Sequence, residues 1–186
     1  MALLRVGPMS GYELQKQFEQ SVGHVWYAPD SQIYPELRRM EAAGLVEAEE
    51  QPRGERATRR LYHVTESGNS AFLEWMRSPL EYQRVKDPSH LRSAYLETVS
   101  PSDARAFFER HISVWENELR QWQNELERIQ SLSNPMLVRR LAVTAEEDRE
   151  RTIAFKKHAY EGLVERAEAE IIWARRGLEL VDRLDS

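Results

Sequence analysis

The sequence predicts a mainly α-helical protein with a small β-wing. Three observations carry that expectation. Residues 86–186 are rich in helix formers and poor in breakers. Two seven-member stripes of apolar residues run through that half at heptad spacing. One pair of strand-like runs, residues 45–50 and 60–65, flanks a loop at 51–59 containing Pro52 and Gly54.

The first half breaks into short elements. Gly7-Pro8 ends the apolar opening Ala2-Leu3-Leu4, which is expected to be a first short helix. Ser10 is placed to cap a second helix from Gly11, where Leu14, Phe18 and Val22 recur every four residues on one face. A third helix starts near Asp30 or Ser31 and stops at Gly44, with Pro35 about one turn in, where its missing N–H is tolerated. The two strands follow. Thr65 then caps a helix over residues 66–77. The expected order is three helices, a hairpin and a helix. Trp26 and Trp75 are expected to pack in that core or at its junction with the second half.

Pro79 marks residues 78–86 as a linker, giving domains at 1–77 and 87–186. In the second half Phe108, Ile112, Trp115, Leu119, Trp122, Leu126 and Ile129 form one stripe. Tyr160, Val164, Ala167, Ile171, Ala174, Leu178 and Val181 form the other. Asn134-Pro135 interrupts the chain between them, so an antiparallel helical pair is the simplest arrangement. Phe107, Ile172 and Trp173 are expected to face outward and call for a second copy. Ile112, Trp115, Leu119, Trp122, Ile171, Trp173 and Leu178 are therefore the expected dimerisation residues.

Composition narrows the function. The chain has 186 residues, 26 basic against 31 acidic side chains, a net charge of −5 and no cysteine. A disulfide scaffold, a thiolate metal site and a cysteine nucleophile are excluded. There is no apolar run of membrane-spanning length and no signal peptide, which points to a soluble cytoplasmic protein without membrane partners. The five histidines are scattered without metal-ligand spacing, and no phosphate-cradling glycine loop or nucleophile elbow is present. Neither catalysis, a metal nor a cofactor is expected.

A nucleic-acid reading survives the acidic balance because positive charge is local. On the third helix Ile33, Leu37 and Met40 form the inward face. Opposite lie Ser31, Pro35, Arg38 and Ala42, flanked by Gln32, Tyr34 and Arg39; such a face can approach a DNA groove and reach phosphates and base edges. Two arginines on a surface helix are by themselves more often an ordinary exposed face. Arg53, Arg56, Arg59 and Arg60 crowd the hairpin tip around a single acid, Glu55. A basic β-loop following such a helix suits a winged helix-turn-helix that sets its wing beside the phosphate backbone.

Three strings now resemble one family. Gly7-Pro8-Met9-Ser10-Gly11-Tyr12-Glu13-Leu14 is similar to the opening motif of PadR-type bacterial transcriptional regulators. Ser31-Gln32-Ile33-Tyr34-Pro35-Glu36-Leu37-Arg38-Arg39-Met40-Glu41, with Gly44-Leu45-Val46, resembles its recognition-helix signature. Arg60-Leu61-Tyr62-His63-Val64-Thr65-Glu66-Ser67-Gly68 resembles its second wing strand. Residues 86–184 resemble more loosely the longer C-terminal domain of one PadR subfamily.

The resemblance implies a winged helix-turn-helix with a C-terminal antiparallel helical dimerisation domain. It implies a homodimeric repressor that reads an inverted-repeat operator in double-stranded DNA and releases it when a small aromatic effector binds. By position, the implied DNA-facing residues are Tyr12, Gln15 and Lys16; Ser31, Gln32, Tyr34, Arg38 and Arg39; and Arg53 and Arg56 in the wing. A MarR-like regulator, or a winged-helix protein adaptor without DNA binding, remains an alternative. Trp115 and Trp122 project from one helix face, as core residues or as a ligand site.

Overall fold

The computed structural model describes residues 1–20, 30–53, 57–82 and 86–185, by backbone alone at 19, 20, 30, 53 and 57. The chain divides into two compact units, Met1–Glu81 and Tyr82–Ser186.

The first unit sets three helices against a small sheet. Helices α1 (Gly11–Gln20), α2 (Asp30–Ala42) and α3 (Glu66–Arg77) accompany strands β1 (Met9–Ser10), β2 (Val46–Arg53) and β3 (Ala57–Val64). The sheet is antiparallel in the order β1-β3-β2. Leu4, Met9, Leu14, Leu37, Val46 and Tyr62 form its buried core.

Local chemistry fixes the ends of these helices. Ser10 and Glu13 form a capping box: Glu13 N donates to Ser10 Oγ at 3.3 Å, and Ser10 N donates back to Glu13 Oε2 at 2.8 Å. Helix α2 stops in a Schellman turn, with Leu45 N donating to Met40 O and Gly44 N to Glu41 O, each at 2.9 Å. Gly44 adopts φ +68°, the left-handed conformation this turn needs. Thr65 caps α3, its Oγ1 accepting from Gly68 N at 3.0 Å. A Cβ on Gly68 would come within 2.0 Å of the Leu45 carbonyl oxygen, so only glycine lets α3 pack there.

Four expectations change. The opening segment is a single 3-10 turn, Leu4–Val6, and not a helix, because Gly7-Pro8 follows before an α-helical turn can close. The wing strands run further than 45–50 and 60–65, pairing as far as Arg53 with Ala57. Pro52 is tolerated because β2 is an edge strand. The two-residue strand β1 was not expected, being too short to show a period-two pattern. Trp75 does not pack in the core: it is 67% exposed. Val22, His24, Trp26 and Arg56 lie outside the described residues.

The second unit is helical. It holds α4 (Pro88–Ser93), α5 (Pro101–Gln130), α6 (Pro135–Ala142) and α7 (Glu146–Asp185). Asp87, Ser100 and Asn134 cap the first three, and each is followed by a proline at the first helical position. Helices α5 and α7 run antiparallel, since early α5 meets late α7. Arg105 bonds Asp182, His111 Nε2 lies 3.1 Å from Glu170, and Arg166 sits over the Trp115 ring. The two heptad stripes meet each other within this one chain, in a core of Trp122, Ile129, Leu137, Tyr160 and Ala167.

That packing takes up part of the expected dimer stripe within the chain: Trp122 and Ile171 are each 5% exposed. Trp173 does not face outward but stacks on His90, with ring centroids 4.1 Å apart, and meets Phe108 and His111 edge-on. Ile112, Trp115, Leu119 and Leu178 are half-buried. Ile172 is exposed, as expected.

Candidate nucleic-acid interface

The exposed side of α2 forms one wall of a cleft of about 510 Å³ in the first unit. Tyr34 and Arg38 line it from α2, Tyr12 from α1, and Arg59, Arg60 and Tyr62 from β3. The inward side is as the helical period requires: Leu37 is buried, with Ile33 and Met40 half-buried beside it. Gly11 makes the close approach possible. A Cβ there would lie 2.5 Å from the Tyr34 ring, so the tyrosine rests directly on the first turn of α1.

Of the other predicted residues, Ser31, Gln32, Arg39 and Lys16 are exposed on the same two helices, and Gln15 is half-buried; none of them lines the cleft. Arg53 ends β2, and only its backbone is described.

Arg59 and Arg60 of the basic hairpin run, absent from the DNA-facing set the resemblance implies, lie on β3, which starts at Ala57, and both line the cleft. Their partners are acidic. Arg60 Nη2 lies 2.6 Å from Glu41 Oε1, and Arg59 Nη1 lies 3.7 Å from Glu13 Oε1. Arg39 pairs with Glu36 at 2.7 Å. Arg38 makes no ion pair among the described residues. The site is a row of guanidinium donors and three tyrosines on a helix–sheet corner, suited to phosphates and base edges. Among the described residues no group of His, Asp or Glu could hold a metal ion, and no helix is long and apolar enough to cross a membrane.

Residues 1–74 match the model of the transcriptional regulator PadR-like family. Those residues are similar to the PadR-like family. The negative transcriptional regulator PadR of Bacillus subtilis is 28% identical over 138 residues, covering 73% of this chain and 75% of that protein. The crystal structure of Bacillus subtilis PadR in complex with operator DNA superposes with a TM-score of 0.76 at 23% identity, over 97% of this chain and 93% of that one. The same protein in complex with p-coumaric acid gives 0.69 at 25% identity, over 97% and 95%.

The chain has a second concavity, wholly within the C-terminal unit. A cleft of about 800 Å³ lies between α4 and α5, bordered by Arg166 of α7. Arg92, Phe107, Arg110, His111 and Trp115 line it. Trp115 and Trp122 meet edge-to-face at 6.2 Å.

Proposed function

We propose that the chain is a dimeric transcriptional repressor that binds double-stranded DNA through the exposed face of α2 and the base of the wing. One observation carries the reading: Tyr34 and Arg38 of α2 share a single cleft with Arg59 and Arg60 of β3. A helix of this kind fits a major groove about 12 Å wide, while strand arginines reach the flanking phosphates. Residues 1–77 act as the DNA-binding part, 78–86 as the linker and 87–186 as the dimerisation part. The operator complex of the Bacillus subtilis relative supports the same role. The reading gives the chain no catalytic step.

The dimer contact uses the apolar surface left after α5 and α7 have packed together. Val114, Phe155, Ile172 and Leu184 are exposed there. Light scattering should return twice the 21.8 kDa chain mass; the single mass at micromolar concentration would contradict the assembly.

Effector control is assigned to the α4–α5 cleft. Its aromatic walls and arginines suit a small aromatic acid, and the p-coumaric acid complex of the same relative supports that class. Ser89 and Arg92 belong to the first helix after the linker, so an occupant would bear directly on it.

The test is selection of bound duplexes from a randomised pool. The reading expects an enriched inverted repeat with half-sites separated by about one helical turn or a multiple of it. A pool that stays random after binding at low salt would overturn it.

A further inference from the structure

We propose that Glu36 and Glu41 are specificity-determining residues: they neutralise arginines of the DNA-facing surface and suppress binding to non-operator DNA. The inference rests on the DNA-binding reading above and adds a role for acidic side chains within it.

The surface is poorly charged for a DNA reader. Residues 1–78 carry 9 basic and 11 acidic side chains. Of Arg38, Arg39, Arg59 and Arg60, three are already engaged: Arg39 with Glu36, Arg60 with Glu41 and Arg59 with Glu13. Sequence-independent affinity comes from replacing counterions on phosphates with free cations. A guanidinium held by a carboxylate must exchange one oxyanion for another, so its net gain on any phosphate is small. The displaced carboxylate then faces the phosphate backbone, and like charges repel. Both effects weigh most on non-operator complexes, which are held by phosphate contacts alone.

Base-edge contacts are not taxed in this way. Arg38 is exposed and makes no ion pair among the described residues, so it can bond a base without breaking anything. A surface with a free arginine amid latched ones loses affinity everywhere except where base contacts make up the difference. Specificity is a difference of affinities, and raising the cost of wrong partners serves it as well as improving the right one.

Glu13 also completes the α1 capping box, so Glu36 and Glu41 give the cleaner variants. The experiment measures full-length protein by fluorescence anisotropy against two duplexes of about three helical turns. One has mixed sequence, and the other is enriched by the wild-type chain from a random pool. Salt is varied between about 50 and 200 mM. E41Q and E36Q should each tighten binding to the mixed-sequence duplex by roughly two- to fivefold, the size of an exposed ion pair. Each should also steepen the log-affinity against log-salt slope, by up to about one unit per arginine freed. The enriched-to-mixed ratio should fall in both. R60A in the E41Q background should cancel that variant's gain, and E74Q on α3, an equal charge change, should leave mixed-sequence binding at the wild-type level. Unchanged binding in E41Q and E36Q with melting temperatures intact overturns the proposal, as does an equal gain in E74Q. If neither wild type nor any variant binds a duplex at low salt, the DNA-binding reading itself fails, and this inference falls with it.

Discussion

Phe108 of α5 occupies the space that a side chain on Gly177 of α7 would need. A Cβ built on Gly177 would lie 2.4 Å from two carbons of the Phe108 ring. The ring cannot withdraw easily, since it is 5% exposed and meets both Phe107 and Trp173 edge-on. Gly177→Ala should therefore destabilise the C-terminal unit, because overpacking costs about 1–3 kcal/mol and exceeds the helix-propensity gain. Gly162, in the same helix, has nothing within 4 Å of its Cβ position. Gly162→Ala should stabilise by about 1 kcal/mol. Urea unfolding of both variants checks the pair: opposite shifts in midpoint are expected, and shifts of the same sign would refute the close contact.

Asn134 is the buried pin between α5 and α6. Its Oδ1 accepts from Leu137 N at 2.6 Å, capping α6, and its amide donates to Glu125, which is 2% exposed. Asn134→Ala removes the cap and leaves a buried carboxylate short of a donor, so it should cost about 2–4 kcal/mol. Asn134→Ser restores only the cap and should recover part of that loss. Equal stability of the wild type and Asn134→Ala in thermal unfolding would exclude the pin.

Tyr160 gives the C-terminal unit an alkaline limit. Burial, with a smaller push from nearby Glu125, raises its hydroxyl from 10.0 to about 12. The folded value exceeds the unfolded one, so the stability it contributes is complete below pH 10. It is lost as pH rises from 10 through 12. Absorbance at 295 nm should show one tyrosine ionising near pH 12. Tyr160→Phe should flatten the fall in stability over that window. A fall of the same size in Tyr160→Phe would place its cause elsewhere.

The legible parts of the fold are those with strong local signals. Thr65, Ser10 and Gly44 mark helix ends in the sequence and take those roles through hydrogen bonds of their own. The heptad stripes foretold two long helices, but periodicity does not say which stripe meets which. Trp122 and Ile171 are buried within the chain, where α5 and α7 pack against each other across the segment that holds α6. Trp173 lies beside the stripe, and its partner His90 is far away in sequence, so its burial left no local trace. The same limit applies to the interface. Arg38 could be placed by its angle around α2, whereas Arg60–Glu41 and Arg59–Glu13 depend on the β3 register and could not be.

The most direct measurement is the affinity of Arg38→Ala for the wild-type-enriched duplex and for a mixed-sequence duplex, each at two salt concentrations. Arg38 lines the cleft and makes no ion pair among the described residues, so its loss should remove a base contact worth about 1–3 kcal/mol. The enriched-to-mixed ratio should then fall by roughly ten- to hundredfold, while mixed-sequence binding changes far less. A ratio preserved in full, with both duplexes weakened alike, would contradict a base-reading role for α2.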